Sequence, residues 1–391
     1  METKGTIKNR YDFIFLFDVK DGNPNGDPDF DNMPRIDEET EQGLVSDVCI
    51  KRKVRNYVHL LKGLEPPHDI FIREGNILNP LIEAKKVEKM SETAEEYTQR
   101  VENYIRNSGT SISEENKKKL TKKINTIRSA ISDNNLGKIE SACEELESIL
   151  KSIIKENKLG KTEIEKISMP NEKSVIKSGR EAMCAQYYDI RTFGAVMSTG
   201  EDKEDKEESE EADKKSKKAK TKKVKGLGVV RGPVQLTFAR SIDPVYSKSF
   251  SVTRCCVTTE QDAKGNKNNT IGNKNNVSYG LYRMHGFISA TDAAKTGFSE
   301  EDKKLLFEAL GNAFENDRAA ARGEMNPRAL IVFKHESPLG NARAGQLFDL
   351  VRVALKEGVE FPRSFNDYEV EIPSQEDLKK AYPNVSIENL I

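Results

Sequence analysis

A run of β-branched and aromatic residues near the start of the chain is the feature that most constrains the fold. Tyr11–Val19 reads YDFIFLFDV, and the tract Asp21–Pro28 that follows reads DGNPNGDP. So many consecutive large apolar side chains suit a strand that is covered on both faces of a sheet. Asp, Gly, Asn and Pro favour tight turns. The sequence therefore predicts a buried central strand that ends in a rigid loop.

The segment Gly43–Val58 has the periodicity of an amphipathic helix. Ser46 and Asp47 are both residue types that cap helix N-termini, so the helix is expected to begin at one of them. Apolar residues recur every three or four positions and predict the side that packs on the sheet: Ile50, Val54, Tyr57, Val58 and Leu61.

Three basic residues, Lys51, Arg52 and Arg55, are expected to share the face of this helix beside the apolar side. Cations within about one turn could grip successive phosphates of a nucleic acid while the apolar side stays packed. Exposed helices also carry Lys and Arg at such spacing without any ligand. Composition leaves both interpretations open, and the rigid loop that precedes the helix favours binding.

Two polar segments interrupt the strand-rich sequence. Residues 82–166 are rich in Lys, Glu, Ser, Asn and Ile, and their apolar residues recur at helical spacing on either side of Asp133–Gly137. This pattern predicts an inserted antiparallel helical hairpin. The second segment, Glu201–Lys225, is an acidic block followed by a lysine block. It has too few apolar residues to order itself, so a disordered loop is predicted.

The remaining segments predict strands and one more helix. Phe250–Thr259 and Val277–Ser289 are strand-like runs on either side of a Gly-, Asn- and Lys-rich stretch, as in a long-tipped β-hairpin. Ser299–Asp302 forms a capping box at a helix start, and Arg328–His335 is strand-like. The order strand, helix, strands, helix, strand indicates an α+β fold, a ferredoxin-like (RRM-like) module with large insertions.

The strand Arg283–Ser289 (RMHGFIS) lacks the aromatic pattern with which RRM strands stack RNA bases. Any RNA bound by such a module is therefore expected to be held through its backbone, without sequence readout.

Composition and motifs exclude several classes of protein. Lys and Arg number 63 against 64 Asp and Glu, a net charge of -1, so a nucleic-acid site must be a local patch. The N-terminus METKGTIKNR is not a signal peptide and no run is long enough to span a membrane, which predicts a cytoplasmic protein without membrane contact. The five cysteines include no C-x-x-C pair, so a zinc site is not expected. With no nucleotide or metalloprotease motif present, no cofactor is expected either.

The loop after the first strand is rich in carboxylates. From Asp27 onward the acidic residues match several positions of a calcium loop, but Asn32 stands where the turn glycine belongs. A strand also precedes the loop where a helix would be required, so a turn rich in Asx interactions is expected instead. Asp18, Asp21, Asp27 and Asp29 could hold magnesium for phosphodiester cleavage if they converged. Their spacing does not force convergence, and no metal site is predicted.

Seven long segments stand in order along the chain: Gly22–Asp29 (GNPNGDPD), Gly43–Val58, Asp189–Val196 (DIRTFGAV), Val230–Val245, Tyr279–Ala290, Phe314–Met325 and Val332–Ala342. In sequence and order they resemble the Cas-seven backbone subunit of type I CRISPR effector complexes (Cascade), most of all the type I-C branch. The segments cover most of the chain outside the two polar insertions.

The resemblance implies an RRM-like palm, helical fingers and a β-hairpin thumb. The palm would comprise residues 7–64 and 176–391, the finger insertion 65–175, the disordered charged loop 200–226 and the thumb 257–280. Subunits of this family polymerise along CRISPR guide RNA, and each thumb displaces a nucleotide so that the guide is presented in short segments. Family members in type I systems are not nucleases.

Carried over to this chain, the family's guide-RNA contacts fall on Ser46, Lys51, Arg52 and Arg55, with Arg191 in the DIRTFGAV segment as a further candidate. The implied partners are the CRISPR guide RNA, target DNA through the guide, copies of the same chain and other Cascade subunits.

Three hypotheses about function remain open at this point. The favoured one is a non-catalytic, RNA-binding assembly subunit. The second is a metal-dependent ribonuclease that uses the four aspartates at and after the first strand, as related backbone subunits of type III complexes do. The third is a purely structural oligomer with an incidental basic face.

Overall fold

The computed structural model describes residues 5–107, 112–157, 168–169, 172–197, 226–253, 256, 260 and 271–391. The chain divides into two compact units. Residues 1–70, 186–194 and 231–391 form the first, and residues 71–185 and 195–230 form the second. The predicted disorder of Glu201–Lys225 lies outside the described residues.

The first unit is built on an antiparallel sheet whose main path runs β14-β11-β1-β10-β8-β4, with β7 and β9 also paired to β10. Its strands are β1 Tyr11–Gly22, β4 Gln42–Val45, β7 Val234–Leu236, β8 Ala239–Pro244, β9 Ser247–Thr253, β10 Ile271–Ile288, β11 Glu324–His335 and β14 Val385–Asn389. Two small sheets accompany it, made of β2 Gly26–Asp27 with β3 Met33–Pro34 and of β12 Arg352–Leu355 with β13 Tyr368–Glu371.

Strand β1 is the buried central strand that the sequence predicts. It pairs with β10 on one side and with β11 on the other, and its residues from Tyr11 to Val19 are all buried. Because successive side chains of a strand point to opposite faces, Phe13, Phe15 and Phe17 enter one apolar core and Ile14 and Leu16 enter another. The prediction of a sheet covered on both faces is confirmed.

Helices cover the face of the sheet that carries the three phenylalanines. They are α1 Asp47–Lys62, α6 Tyr188–Phe193, α7 Ala290–Thr296 and α8 Glu300–Gly311. The opposite face is covered by α9 Ala344–Phe348, by the small sheet β12–β13 and by α10 Gln375–Ala381. The predicted capping box of α8 is confirmed, since the Ser299 hydroxyl and the Asp302 carboxylate each accept a hydrogen bond from the other residue's backbone N–H.

The described residues of the second unit form four helices and a two-stranded sheet. The helices are α2 Leu78–Asn107, α3 Glu114–Ser132, α4 Leu136–Asn157 and α5 Glu172–Gln186, and the strands are β5 Gly194–Met197 and β6 Gly228–Arg231. The antiparallel hairpin predicted around Asp133–Gly137 is confirmed as α3 and α4, which pack through Leu120, Ile124, Ile139 and Cys143. The 30-residue helix α2, which packs on both, was not predicted as a separate element.

The start of β10 extends beyond the main sheet and pairs with β9. The register runs from Thr253 opposite Ile271 to Ser247 opposite Val277. We call residues 247–253 and 271–277 the ribbon. The predicted β-hairpin is thereby confirmed, but Ile271–Asn276, which the sequence interpretation assigned to the tip, are strand residues. Of the thumb predicted at 257–280, residues 257–259 and 261–270 lie outside the described part.

In the described part of the chain, no helix combines the length and the apolar character that a membrane crossing requires.

Candidate nucleic-acid interface

Ser46 is the N-cap of α1, as one of the two sequence alternatives predicted. Its side chain does not cap the first turn of its own helix. The Ser46 backbone N–H and hydroxyl instead donate to the Oδ1 of Asn25, at 2.9 and 2.8 Å. The first turn of α1 is therefore fastened to the Gly- and Asn-rich loop that precedes it.

Lys51 and Arg52 follow one another in the first two turns of α1 but differ in exposure. The Lys51 ammonium is 2.8 Å from the Asp47 carboxylate and 5.6 Å from the centre of the Phe193 ring, and its side chain is only 15% exposed. Arg52 is exposed and lies where a phosphate could approach without disturbing the core.

Arg55 is in a different environment, since it is only 9% exposed. Its Nε donates to the Asp189 carboxylate at 2.8 Å, and its guanidinium lies 5.4 Å from the centre of the Phe193 ring. The expectation that Lys51, Arg52 and Arg55 share one accessible face is therefore wrong for Arg55. Helix α6 packs over the side of α1 that carries Arg55. No helical periodicity in the sequence predicts α6. Contact of Arg55 with RNA stays a prediction that nothing here tests.

Arg191 is also buried, at 6% exposure. Its guanidinium donates to both oxygens of Asp302, from Nε at 2.9 Å and from Nη2 at 2.8 Å, and Nη2 also donates to the Pro67 carbonyl at 3.1 Å. This is the two-point geometry in which Arg binds a carboxylate most strongly. Its predicted role in RNA binding likewise stays untested.

The two buried pairs give α6 a structural role. Asp189 of this six-residue helix binds Arg55 of α1, and Arg191, two positions later, binds Asp302 of α8. Tyr188 of the same helix is fully buried, and this burial raises the pKa of its hydroxyl well above its usual range. Breaking one partner of such a pair leaves an uncompensated buried charge. The segment Asp189–Gly194 therefore fixes the positions of α1 and α8 relative to each other.

The aspartates considered for metal binding are not brought together. Asp18 is buried and accepts hydrogen bonds from Tyr279, Asn326 and Arg328, at 3.0, 3.1 and 2.9 Å. Asp27 faces Arg35 at 3.1 Å. Among the described residues, no group of three or more His, Cys, Asp or Glu side chains could share a metal ion.

The expected Asx-rich turn is confirmed at the same loop. The Asp27 carboxylate accepts a hydrogen bond from the backbone N–H of Asp29 at 3.1 Å and thereby caps a short 3-10 turn over Pro28–Phe30.

The ribbon presents nucleic-acid-binding chemistry that the sequence interpretation missed. Alternate residues of the sequence Tyr246–Thr253 (YSKSFSVT) are Tyr246, Lys248, Phe250 and Val252, and Tyr246 and Phe250 are 72% and 44% exposed. The Lys248 ammonium lies 5.1 Å from the centre of the Phe250 ring. The sequence signal that could have predicted this surface is the alternation of these four residues with small polar residues, which is typical of a strand.

The two faces of the ribbon differ in chemistry. Lys248 and Phe250 face Asn276 and Lys274 across the ribbon, whereas the other face carries Ser247, Ser249, Ser251 and Thr253. Neither strand of the ribbon contains a carboxylate. Exposed aromatic rings beside lysines suit unpaired nucleic acid, since any base can stack and the phosphates are attracted.

The middle of β10 is closed to bases. The His285 ring stacks on Phe348 of α9 at 4.2 Å between ring centres, and Arg283 donates to the carbonyls of Val351 and Phe348 at 2.9 and 2.6 Å. Burial, with a smaller contribution from Arg283, lowers the pKa of His285 from 6.5 to about 4. This face of the sheet is thus covered, in agreement with the absence from Arg283–Ser289 of the aromatic motif that stacks RNA bases.

The family model of CRISPR-associated protein Cas7 matches residues 9–373. The chain therefore belongs to the Cas7 family, as its ordered segments suggest. A Haloferax volcanii protein described as CRISPR-associated protein Cas7 is 33% identical over 101 residues, which are 24% of this chain and 29% of that protein. The chain thus matches less than a third of that relative's length.

Two solved structures are similar to this chain at low sequence identity and low TM-score. A chain of a CRISPR RNA-guided surveillance complex in a pre-nicking state is 14% identical, with a TM-score of 0.37 over 83% of this chain and 78% of the other. A chain of another CRISPR RNA-guided surveillance complex is 12% identical, with a TM-score of 0.35 over 97% and 91% of the two chains.

Proposed function

We propose that this protein is the CRISPR guide-RNA-binding backbone subunit of a Cascade-type complex. The observation that carries the proposal is the ribbon, an exposed, carboxylate-free pair of strands with lysine and aromatic side chains, in a chain of the Cas7 family. An isolated two-stranded ribbon is marginally stable in water. Its exposure is therefore best explained by a partner that covers it.

The sheet supports a ferredoxin-like (RRM-like) palm. Its four central strands are adjacent in the order β11-β1-β10-β7, α1 follows β1, and α8 lies between β10 and β11. This is the arrangement of a βαββαβ module whose first helix and second strand are separated by an insertion. We assign the finger to 65–175 and the thumb to the ribbon with its tip.

RNA would be held through its backbone. Ser46, Lys51 and Arg52 are the predicted phosphate contacts at α1, and Lys248 and Phe250 add a stacking surface on the ribbon. None of them reads a base edge, so sequence recognition would be left to pairing between the guide and target DNA. Arg55 and Arg191 would serve the site by fixing α1 and α8.

The subunit would act without catalysis and in repeated copies along one guide, together with other Cascade subunits in the cytoplasm. A protein with a net charge of -1 and local cationic surfaces can share one RNA among many copies without coating nucleic acid indiscriminately. The ribonuclease alternative has no comparable support, because Asp18 is bound by Arg328 and the other aspartates are not clustered.

Co-expression with a CRISPR repeat-spacer RNA, followed by purification and electron microscopy, tests the proposal. We expect regular helical particles whose length grows with the length of the bound RNA. Monomeric protein without bound RNA would contradict the proposal. Incubation of the particles with complementary RNA and Mg²⁺ tests the alternative, since cleavage of that RNA would favour the ribonuclease.

A further inference from the structure

The ribbon is held at its base by two asparagines of β10. The Asn275 side-chain amide donates to the Asp31 carbonyl at 3.0 Å, and the Asn276 amide donates to the Asp21 carbonyl at 2.9 Å. Both accepting residues have left-handed backbone conformations, with φ of 49° and 47°. Non-glycine residues rarely adopt this conformation. The loop is thus bent at the two points where it meets the ribbon.

The loop between these two carbonyls is internally braced. The Asn23 side-chain amide donates to the Asn32 carbonyl at 2.7 Å, and the Asn32 backbone N–H donates to the Asp27 carbonyl at 2.8 Å. A Cβ atom on Gly26 would lie only 1.8 Å from the Asn32 Oδ1, so any larger residue there would displace the Asn32 side chain. A loop with these internal hydrogen bonds is rigid, so it can fix the relative positions of the elements that it contacts.

The other end of the loop is fastened to α1. Asn25 accepts both hydrogen bonds from Ser46, and the Cys49 thiol donates to the Pro24 carbonyl at 3.5 Å. One loop therefore contacts the first turn of the predicted RNA-binding helix and the base of the ribbon.

We propose that residues 21–35 form a bracket that sets the direction of the ribbon relative to the first turn of α1, with Asn275 and Asn276 as positioning residues. The bracket orients the ribbon toward the RNA and the neighbouring copy bound to it; this part rests on the proposed function. Because residues 248–253 of the ribbon are exposed, its direction depends mainly on these two hydrogen bonds and on the continuity of β10.

A distance measurement in the isolated protein tests the bracket without RNA. Spin labels are attached at Ser249→Cys on the ribbon and Glu301→Cys on α8, after the exposed Cys256 and its sequence neighbour Cys255 are replaced by serine. Cys49, whose thiol contacts the bracket at Pro24, is kept. Pulsed electron resonance then gives the distribution of distances between the two labels.

The variant Asn275→Ala with Asn276→Ala removes both donors without adding charge to the ribbon. We expect its distance distribution to broaden. Asn273→Ala is the matched control, since Asn273 lies on the same strand and the same face as Asn275 and is exposed. The single variant Asn275→Ala, with a smaller broadening, covers the case in which the double variant unfolds. An unchanged distribution in a folded double variant would overturn the bracket.

Assembly provides the functional measurement. In the double variant, the protein concentration that half-saturates a long guide RNA should rise about tenfold, while binding of one copy to a short RNA changes by less than about twofold. A broadened distribution with unchanged assembly would overturn the orienting role. Failure of the unaltered protein to assemble on RNA would refute the proposed function, and the distance measurement would still decide the bracket.

Discussion

The α1–α6–α8 region and the ribbon both carry basic residues, but in opposite environments. Arg55 and Arg191 are buried against Asp189 and Asp302. Lys248 is exposed beside Phe250 on a strand with no carboxylate. A buried guanidinium needs its partner to offset desolvation, so it serves the fold. An exposed lysine that forms no ion pair with any described residue is available to a ligand. Basic residues in a motif are therefore not equivalent evidence of binding.

The largest expected effect separates Arg55 from Arg52. Arg55→Ala should lower the free energy of unfolding by about 3–5 kcal/mol, because Asp189 would be left charged and buried. Arg52→Ala, on the same helix but exposed, should change it by less than about 0.5 kcal/mol. Urea unfolding followed by circular dichroism measures both. Equal losses in the two variants would mean that the buried pair is not specially important.

The ribbon should behave in the opposite way. Phe250→Ala should weaken guide-RNA binding by about 1–3 kcal/mol, the usual contribution of one base stacked on an aromatic ring, without changing the melting temperature. Ser251→Ala, on the other face of the same strand, is the control and should bind RNA normally. Fluorescence anisotropy with a labelled guide gives the affinities. If Phe250→Ala bound as tightly as the control, the ribbon would not be a stacking surface.

A pH titration examines a third environment, the covered sheet face. Between pH 4 and 6.5 the unfolded chain binds a proton at His285 that the folded chain does not, because burial lowers the pKa of the folded histidine to about 4. Stability should therefore fall as the pH drops through this window, by about 1–2 kcal/mol after allowance for partial exposure. His285→Gln keeps a hydrogen-bond acceptor for Arg283 and should flatten that part of the profile. The same slope in the variant would assign the dependence to other groups.

The smallest effect concerns the accessible end of α1. Lys51→Ala and Arg52→Ala should each reduce the slope of log affinity against log salt by about 0.7, the value for one phosphate contact with single-stranded nucleic acid. Stability should be nearly unchanged in Arg52→Ala and should fall by up to about 1 kcal/mol in Lys51→Ala, because the paired Lys51 and Asp47 side chains are only 15% and 23% exposed. Binding of the guide between low and moderate salt measures the slope. Slopes equal to that of the unaltered protein would remove both residues from the RNA site.

The sequence by itself determined the elements whose signal is local. The apolar run of β1, the start of α1 at Ser46 or Asp47, the α3–α4 hairpin and the capping box of α8 each depend on residues a few positions apart, and each is confirmed. The ordered segments also identified the family, which the match over residues 9–373 shows.

Only the tertiary structure decided which basic residues are accessible. Periodicity placed Arg55 beside Lys51 and Arg52, yet Asp189, which buries it, lies 134 residues further along the chain. The contact of Arg191 with Asp302 and the brace between Asn276 and Asp21 also join distant segments. Helical spacing specifies the direction in which a side chain points from the axis of its helix. Whether that side chain is buried depends on which other part of the chain packs against it.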